Sequence, residues 1–405
     1  MNCGLLGRTL GHSYSPHIHA LLGDYTYSLF EKEPQQLEDF LKQGEFSGLN
    51  VTMPYKQAVI TYLDELSPIA QKLGAVNTIV RRNGRLVGHN TDFFGFSSML
   101  AESGLEPGGK KCLVLGSGGA SRTVCAVLEK LGSEVVVISR NGKDHYGNLS
   151  IHGDAAIIVN TTPVGMYPDT LISPVELSLF PRLEGVLDVI YNPARTQLLL
   201  DAQKRSLVTM NGLWMLVAQA WESTQWFTGH SIPEDQIRQI YRQLKLHMEN
   251  IILIGMPGCG KTTIGQLLAR QTGKTFADTD ELVCRLAGKT IPEIFAEDGE
   301  SVFRAWETQA IAQLGKRSGL VIATGGGCVT QSRNHPLLHQ NGTLIWLCRE
   351  LDLLPTDGRP LSQRTAPEQL YRIRKPMYEA FADQQIDNSG DPQDTVRTIM
   401  KFLKE

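Results

Sequence analysis

The stretch N250-IILIGMPGCGKTTI-G265 reads as an apolar strand, a glycine-rich turn and the first turns of a helix. Its GMPGCGKT core fits GxxxxGK[ST], with Gly255, Gly260, Lys261 and Thr262 in the motif positions. A strand before the turn and a helix after it are the context in which this motif forms a phosphate-binding loop. Backbone N–H groups of Gly258, Cys259, Gly260 and Thr263 then face phosphate, Lys261 reaches the transferred group, and Thr262 ligates Mg²⁺. Cys259 is read as a small residue tolerated in a tight turn. A loop of this kind does not by itself distinguish one nucleotide-dependent activity from another.

Working outward, strand and helix signals alternate on both sides of residue 248. Before it lie the apolar runs NCGLLG, GLNVTM, KCLVLG, EVVVIS, AAIIVNT and GVLDVIY; after it lie IILIG, GLVIATGGG and GTLIWLC. Such alternation predicts α/β architecture with parallel sheets and crossover helices. From 213 to 248 the pattern is helical, and it runs almost directly into the strand of the phosphate loop. The expected division is therefore 1–248 and 249–405. Within the first part, 97–212 reads as a dinucleotide-binding fold, and 1–96 with 213–248 as a substrate-binding part.

The chain has 405 residues, 41% of them hydrophobic and 20% charged, with a net charge of -3. That balance gives no basic footprint for nucleic acid and no polybasic membrane patch. No apolar run approaches the roughly 18 residues of a membrane span, and no signal-peptide layout opens the sequence. Seven cysteines without CxxC or zinc spacing suggest free thiols in a reducing cytoplasm.

A second glycine-rich turn, L113-VLGSGGASR-T123, places Gly116, Ser117, Gly118, Gly119 and Ala120 between a strand and a helix. There a pyrophosphate sits on the helix N-terminus. The next strand ends at Ser139-Arg140, where an NAD-binding fold carries an acid for the ribose hydroxyls. A hydroxyl and a cation favour a 2′-phosphate, so NADP(H) is expected. Only KDHYGNLSIHGD separates ISRNG from AAIIVN, too short for a crossover helix of ordinary length. The adenosine side is expected to be trimmed. Before residue 100, loops and strand ends are rich in hydroxyl, amide and charged groups: Ser13, Ser15, Thr52, Lys56, Asn77, Asn90 and Asp92. Singly each is a cap or turn residue; together they suit a polyhydroxylated anion.

The motifs HSYSP, NVTMPYK, GAVNT, NTD, GSGGASR, NTTPVGM, DVIYNPARTQLL and GLWMLVAQ occur in order. In them the first ~245 residues resemble shikimate dehydrogenase over essentially the whole domain. The resemblance implies reduction of 3-dehydroshikimate to shikimate with NADPH. Ser13 and Ser15 would hold the carboxylate, and Thr52, Asn77, Tyr191 and Gln219 the hydroxyls or ring. Lys56 and Asp92 would be the catalytic pair, and Val189 and Gly212 would line the nicotinamide side.

After the phosphate loop come FADTDE, SVFRAWE, ATGGG, DGRPLS and RIRKPMY. This set resembles shikimate kinase across 249–405. The resemblance implies ATP-dependent phosphorylation of the shikimate 3-hydroxyl. Asp278 would serve Mg²⁺ with Thr262, and Asp280 would bind substrate and act as base, the two carboxylates pointing opposite ways from an extended segment. Arg304 and Arg374 would clamp the substrate carboxylate, Gly326 and Gly327 would let its ring approach, and Arg359 on a lid would stabilise the transferring phosphoryl. The segment before GRP is shorter than is usual in that family and offers no adenine-stacking arginine upstream. The partners expected are these small molecules, without nucleic acid or membrane. Two other readings stay open: the same folds acting on a relative such as quinate, and a sensor that binds shikimate and nucleotides without turnover.

Overall fold

The computed structural model describes residues 1–11, 13–354 and 367–404. Its residues group into two compact units, Met1–Val164 with Ser173–Tyr191 and Asp201–Arg242, and Gly165–Ile172 with Asn192–Leu200 and Gln243–Glu405.

The first unit contains two sheets. One is built from β1 (Asn2–Gly7), β2 (Thr26–Glu31), β3 (Gly48–Val51), β4 (Glu65–Leu66), β5 (Thr78–Arg82) and β6 (Arg85–His89), in the order β2-β1-β3-β5-β6-β4. The parallel expectation fails for this sheet, because β5 runs antiparallel to both β3 and β6. For β5 and β6 the cause is the Asn83-Gly84 turn. Both residues have positive φ (51° and 79°), the two-residue geometry that reverses a chain directly between paired strands. The pairing of β5 with β3 is what brings Asn77 beside Asn50, since Asn50 pairs in register with Thr78.

The second sheet holds β7 (Lys111–Leu115), β8 (Glu134–Ile138), β9 (Ile157–Asn160), β10 (Gly185–Asp188) and β11 (Val208–Met210), all parallel, in the order β11-β10-β9-β7-β8. Gly116 follows β7 and the helix Gly119–Lys130 opens directly after the turn. The crossover from β8 to β9 carries only the short 3-10 helix Leu149–His152. The trimmed crossover read from the sequence is therefore present as a loop with one short helical turn. Val135, Val136 and Val137 of β8 remain half-buried.

In the second unit, β12 (Asn250–Ile254), β13 (Thr275–Asp278), β14 (Leu320–Ala323), β15 (Gly342–Cys348) and β16 (Gln384–Asp387) form a parallel sheet in the order β13-β14-β12-β15-β16. Strands β12 and β14 are buried throughout and read as unbroken apolar runs, as strands covered on both faces should. Neighbours in this order are distant in sequence, so the chain reverses its direction of winding beside β12. Ligands bind at the carboxyl ends of strands at such a point. Within this unit, Ala194 N donates to Asn341 Oδ1 at 2.8 Å, and Arg195 Nη1 to the His339 carbonyl at 3.0 Å. No described helix is long and apolar enough to cross a membrane.

Candidate functional sites

The first unit gathers Ser13, Ser15, Thr52, Lys56, Asn77, Asp92, Tyr191 and Gln219 around a cavity of about 280 Å³. Lys56 Nζ donates to Asp92 Oδ2 at 2.6 Å. Asp92 opens the helix Asp92–Ser103, where the N-terminal end of the helix favours a carboxylate. Asn77 is buried: its Nδ2 donates to Thr91 Oγ1 at 3.0 Å, and its Oδ1 accepts from Thr91 N at 2.7 Å. The residue just before Asp92 is thereby held by the residue just before β5. Ser13 Oγ accepts from Ser15 N at 3.2 Å, at the start of the helix Ser15–Leu22. Burial raises the Tyr191 phenol above its ordinary range, so it stays neutral and can donate.

Ala120, Val189 and Gly212 line the same cavity. A side chain at Gly212 would come within 2.0 Å of the Val189 carbonyl oxygen, so this wall is flat because the backbones touch. Gly116 takes φ 105° and lies against Thr161, a combination that fits only glycine. Ser117, Gly118 and Gly119 are exposed, and no side chain crowds Gly118 or Gly119. Ser139 N donates to the Asp144 carbonyl at 3.2 Å, and Arg140 is exposed at the end of β8. These residues lie outside the lining of the Lys56 cavity. Asn50 also lines the cavity and was not singled out from the sequence. It accepts from Tyr27 OH at 2.7 Å and donates to Thr78 Oγ1 at 3.2 Å. Its signal was its place at the head of the NVTMPYK motif.

The second unit has a cavity of about 740 Å³ bounded by Gly258, Gly260, Lys261, Thr262, Thr263, Asp278, Asp280, Gly326, Gly327 and Arg374. Lys261 Nζ donates to the Gly255 and Met256 carbonyls at 2.9 Å each, which closes the loop on itself. Cys259 has a fully buried side chain, and its carbonyl accepts from Asn388 Nδ2 at 2.7 Å. Thr262 Oγ1 lies 3.3 Å from Asp278 Oδ2, so a hydroxyl and a carboxylate stand together where a hard cation with phosphate ligands would be held. The opposite-pointing expectation for the two aspartates does not hold. The chain turns into the helix Thr279–Ala287 directly after Asp278, Asp278 caps that helix by accepting from Asp280 N at 2.9 Å, and both carboxylates face the cavity.

Asp280 is pushed up to about 6 by burial, with the Asp278 charge adding to it and Lys261 and Arg304 opposing. Its Oδ1 is buried without a partner among the described residues. Glu307 Oε1 is equally unpartnered. A side chain at Gly325 would lie 2.7 Å from Glu307 Oε1 and 2.8 Å from Asp280 Oδ1, so only glycine fits between the two carboxyls. Arg304 is buried, bonded to Glu307 Oε2 at 2.8 Å and Glu300 Oε1 at 3.0 Å. It does not line this cavity directly but abuts Gly327, where an added side chain would meet its guanidinium at 2.3 Å. Arg374 Nη1 donates to the Gly326 carbonyl at 3.0 Å, and Tyr378 OH to the same oxygen at 2.5 Å. Arg359 lies outside the described residues. Glu307 was missed although it stands in SVFRAWE, because nothing local shows that the third residue after Arg304 is buried.

A shikimate kinase family model matches residues 257–404. A model of the shikimate dehydrogenase substrate binding domain matches 5–79, and one of the shikimate 5′-dehydrogenase C-terminal domain matches 212–240. A shikimate dehydrogenase (NADP(+)) of Symbiobacterium thermophilum is 38% identical over 271 residues, covering 58% of this chain and 91% of its own. A crystal structure of shikimate dehydrogenase 1 from Peptoclostridium difficile shares 37% identity at a TM-score of 0.56, covering 60% of this chain and 98% of its own. The Thermus thermophilus shikimate 5-dehydrogenase, solved with NADP(H) and shikimate, shares 32% at 0.55, covering 60% and 99%.

Proposed function

The chain belongs to the shikimate dehydrogenase family and continues into a shikimate kinase domain, and on that premise we propose that it reduces 3-dehydroshikimate to shikimate and then phosphorylates the same hydroxyl. When bound, NADPH supplies the hydride, and ATP with Mg²⁺ supplies the phosphoryl group. The division of labour is proposed to follow 1–248 and 249–405.

In the reductase site, Lys56 Nζ holds the proton that passes to the carbonyl oxygen as negative charge develops there, and Asp92, 2.6 Å away, keeps that nitrogen aimed. Ser13 and Ser15 offer hydroxyls to the substrate carboxylate. Thr52, Asn77, Tyr191 and Gln219 offer donors and acceptors to the ring hydroxyls. Ala120, Val189 and Gly212 form the surface against which a flat ring stacks. Gly116, Ser117, Gly118 and Gly119 leave the backbone open to a pyrophosphate, and Ser139 with Arg140 suits a 2′-phosphate.

In the kinase site, Lys261 and the N–H groups of Gly258 to Thr263 hold phosphate, and Thr262 with Asp278 would ligate the metal. Arg374 and Arg304 bind the substrate carboxylate from the Gly326-Gly327 side, and Asp280 accepts the proton of the attacked hydroxyl. Arg359 is proposed to act on the transferring phosphoryl.

The observation that carries this reading is that each unit gathers a carboxylate, a lysine and several further polar groups in a single cavity, Asp92 with Lys56 in the first and Asp280 with Lys261 in the second. The test is a coupled assay on dehydroshikimate, NADPH and ATP with the products identified. Lys56→Ala is expected to stop reduction and spare phosphorylation of added shikimate; Lys261→Ala is expected to do the reverse. Faster turnover of quinate than of shikimate would replace the first substrate. Neither NADPH nor ATP consumption would make the protein a sensor.

A further inference from the structure

Behind the Lys56–Asp92 pair lies a carboxyl that the mechanism above does not use. Glu222 sits on the helix Leu213–Thr228, one turn beyond Gln219. That helix packs antiparallel against the helix Asp92–Ser103. Trp214 Nε1 donates to Ser98 Oγ at 2.9 Å, Gly95 lies against Met215 and Gln219, and Phe94 stacks on Trp221 with ring centres 5.2 Å apart. Followed one step further, this register puts Asp92 next to Glu222. Trp226, a turn beyond, stacks at 3.7 Å on His89, three residues before Asp92.

Glu222 Oε2 is buried, and among the described residues nothing hydrogen-bonds it. We propose that Glu222 is a positioning residue for the Lys56–Asp92 pair, its charge state setting how firmly Lys56 holds its proton. The inference rests on Lys56 being the proton-handling group of the reductase. Burial pushes the Glu222 carboxyl up to about 7; the Trp226 side chain, acting as a donor, opposes this, and the nearby Asp92 carboxylate adds to it. Among the described residues, the other charged or titratable groups on the neighbouring turns are Arg82, 5.4 Å over the Trp226 ring, His89, stacked on that ring, and His19, bonded to Thr224 Oγ1. Burial holds His89 down to about 4 and His19 to about 3, so both stay neutral through the working range. Glu222 is left as the group that changes charge near neutrality.

Neutral Glu222 leaves Asp92 as the anion facing Lys56. Ionised Glu222 adds a second negative charge beside Asp92 and strengthens the hold on the Lys56 proton. Oxidation of shikimate with NADP⁺, the reverse reaction, needs neutral Lys56. The experiment is the pH profile of kcat/KM for that oxidation, measured on the full chain. For Glu222→Gln, the ratio of variant to wild-type kcat/KM is expected to rise about tenfold as pH passes through about 7. A ratio that is flat with pH would reduce Glu222 to packing and overturn the proposal. Trp226→Phe provides the second arm. Loss of the donor raises the Glu222 carboxyl further, so the inflection moves to higher pH, and an inflection left at the wild-type position overturns the proposal too. Residual turnover in Lys56→Ala would instead sink the reading on which this one rests.

Discussion

At the scale of single residues, the second site is dominated by what burial does to carboxyls. Asp280 has a folded pKa of about 6 against an ordinary value of 3.8. A raised carboxyl stabilises the fold while it is protonated, fully below pH 3.8, and that contribution is lost as pH rises through about 6. Asp280→Asn is therefore expected to raise stability at pH 8 by on the order of 2 kcal/mol, read by denaturant unfolding, while lowering the kinase kcat by about 10²–10⁴. A variant that keeps the wild-type kcat would remove Asp280 from the role of base. In the free enzyme, kcat/KM for phosphorylation should fall as pH drops through about 6, where the carboxylate gains its proton. Gly212 makes a steric test of the reductase. Gly212→Ala forces a methyl to within 2.0 Å of the Val189 carbonyl oxygen, an overpacking expected to cost about 1–3 kcal/mol. It should raise the KM for NADPH more than that for dehydroshikimate; equal KM values for NADPH in variant and wild type would rule Gly212 out of the cofactor wall.

At the scale of elements, short turns decide where the functional groups stand. The Asn83-Gly84 reversal pairs β5 with β6 and holds Asn77 one residue before β5, with its amide bonded to Thr91. The N-G between NTIVRR and RLVGH is a strong short-range sign of that reversal, set among segments whose strand-helix alternation points to parallel pairing. Similarly, the turn at Asp278 converts an extended pair of aspartates into a capped helix start and brings both to one cavity. The β8–β9 crossover leaves Arg140 exposed at a strand end with only a short helical turn after it. Arg140→Ala is expected to lower the preference for NADPH over NADH by about tenfold, the size of one charge-assisted contact to a phosphate. An unchanged NADPH-to-NADH ratio of kcat/KM would assign the 2′-phosphate to other groups.

At the scale of the whole molecule, each unit has its own apolar core, one around Leu6, Leu49, Val51 and Ile79 and another around Ile252, Leu253, Ile322 and Trp346. Each ligand should then stabilise through its own unit. A ligand present at about a hundred times its Kd adds about 2.7 kcal/mol to the state that binds it. In thermal scans, Mg-ADP is expected to lose its stabilising effect in Lys261→Ala while NADP⁺ keeps its own; loss of both in that variant would contradict two independent sites. The sequence by itself determined the alternation of strands and helices, the two glycine turns, and many of the residues that the two cavities gather, because each such motif encodes a backbone shape within a few neighbouring positions. It also showed the trimmed crossover, since length alone excludes a crossover helix of ordinary length there. Only the tertiary structure decided the antiparallel turn of the first sheet, the common facing of Asp278 and Asp280, the burial of Glu307 beside Arg304, and the burial of Glu222 Oε2. These depend on segments far apart in the chain. A carboxyl's burial, its missing partner and the charge next to it are properties of the packed neighbourhood, which local spacing does not carry.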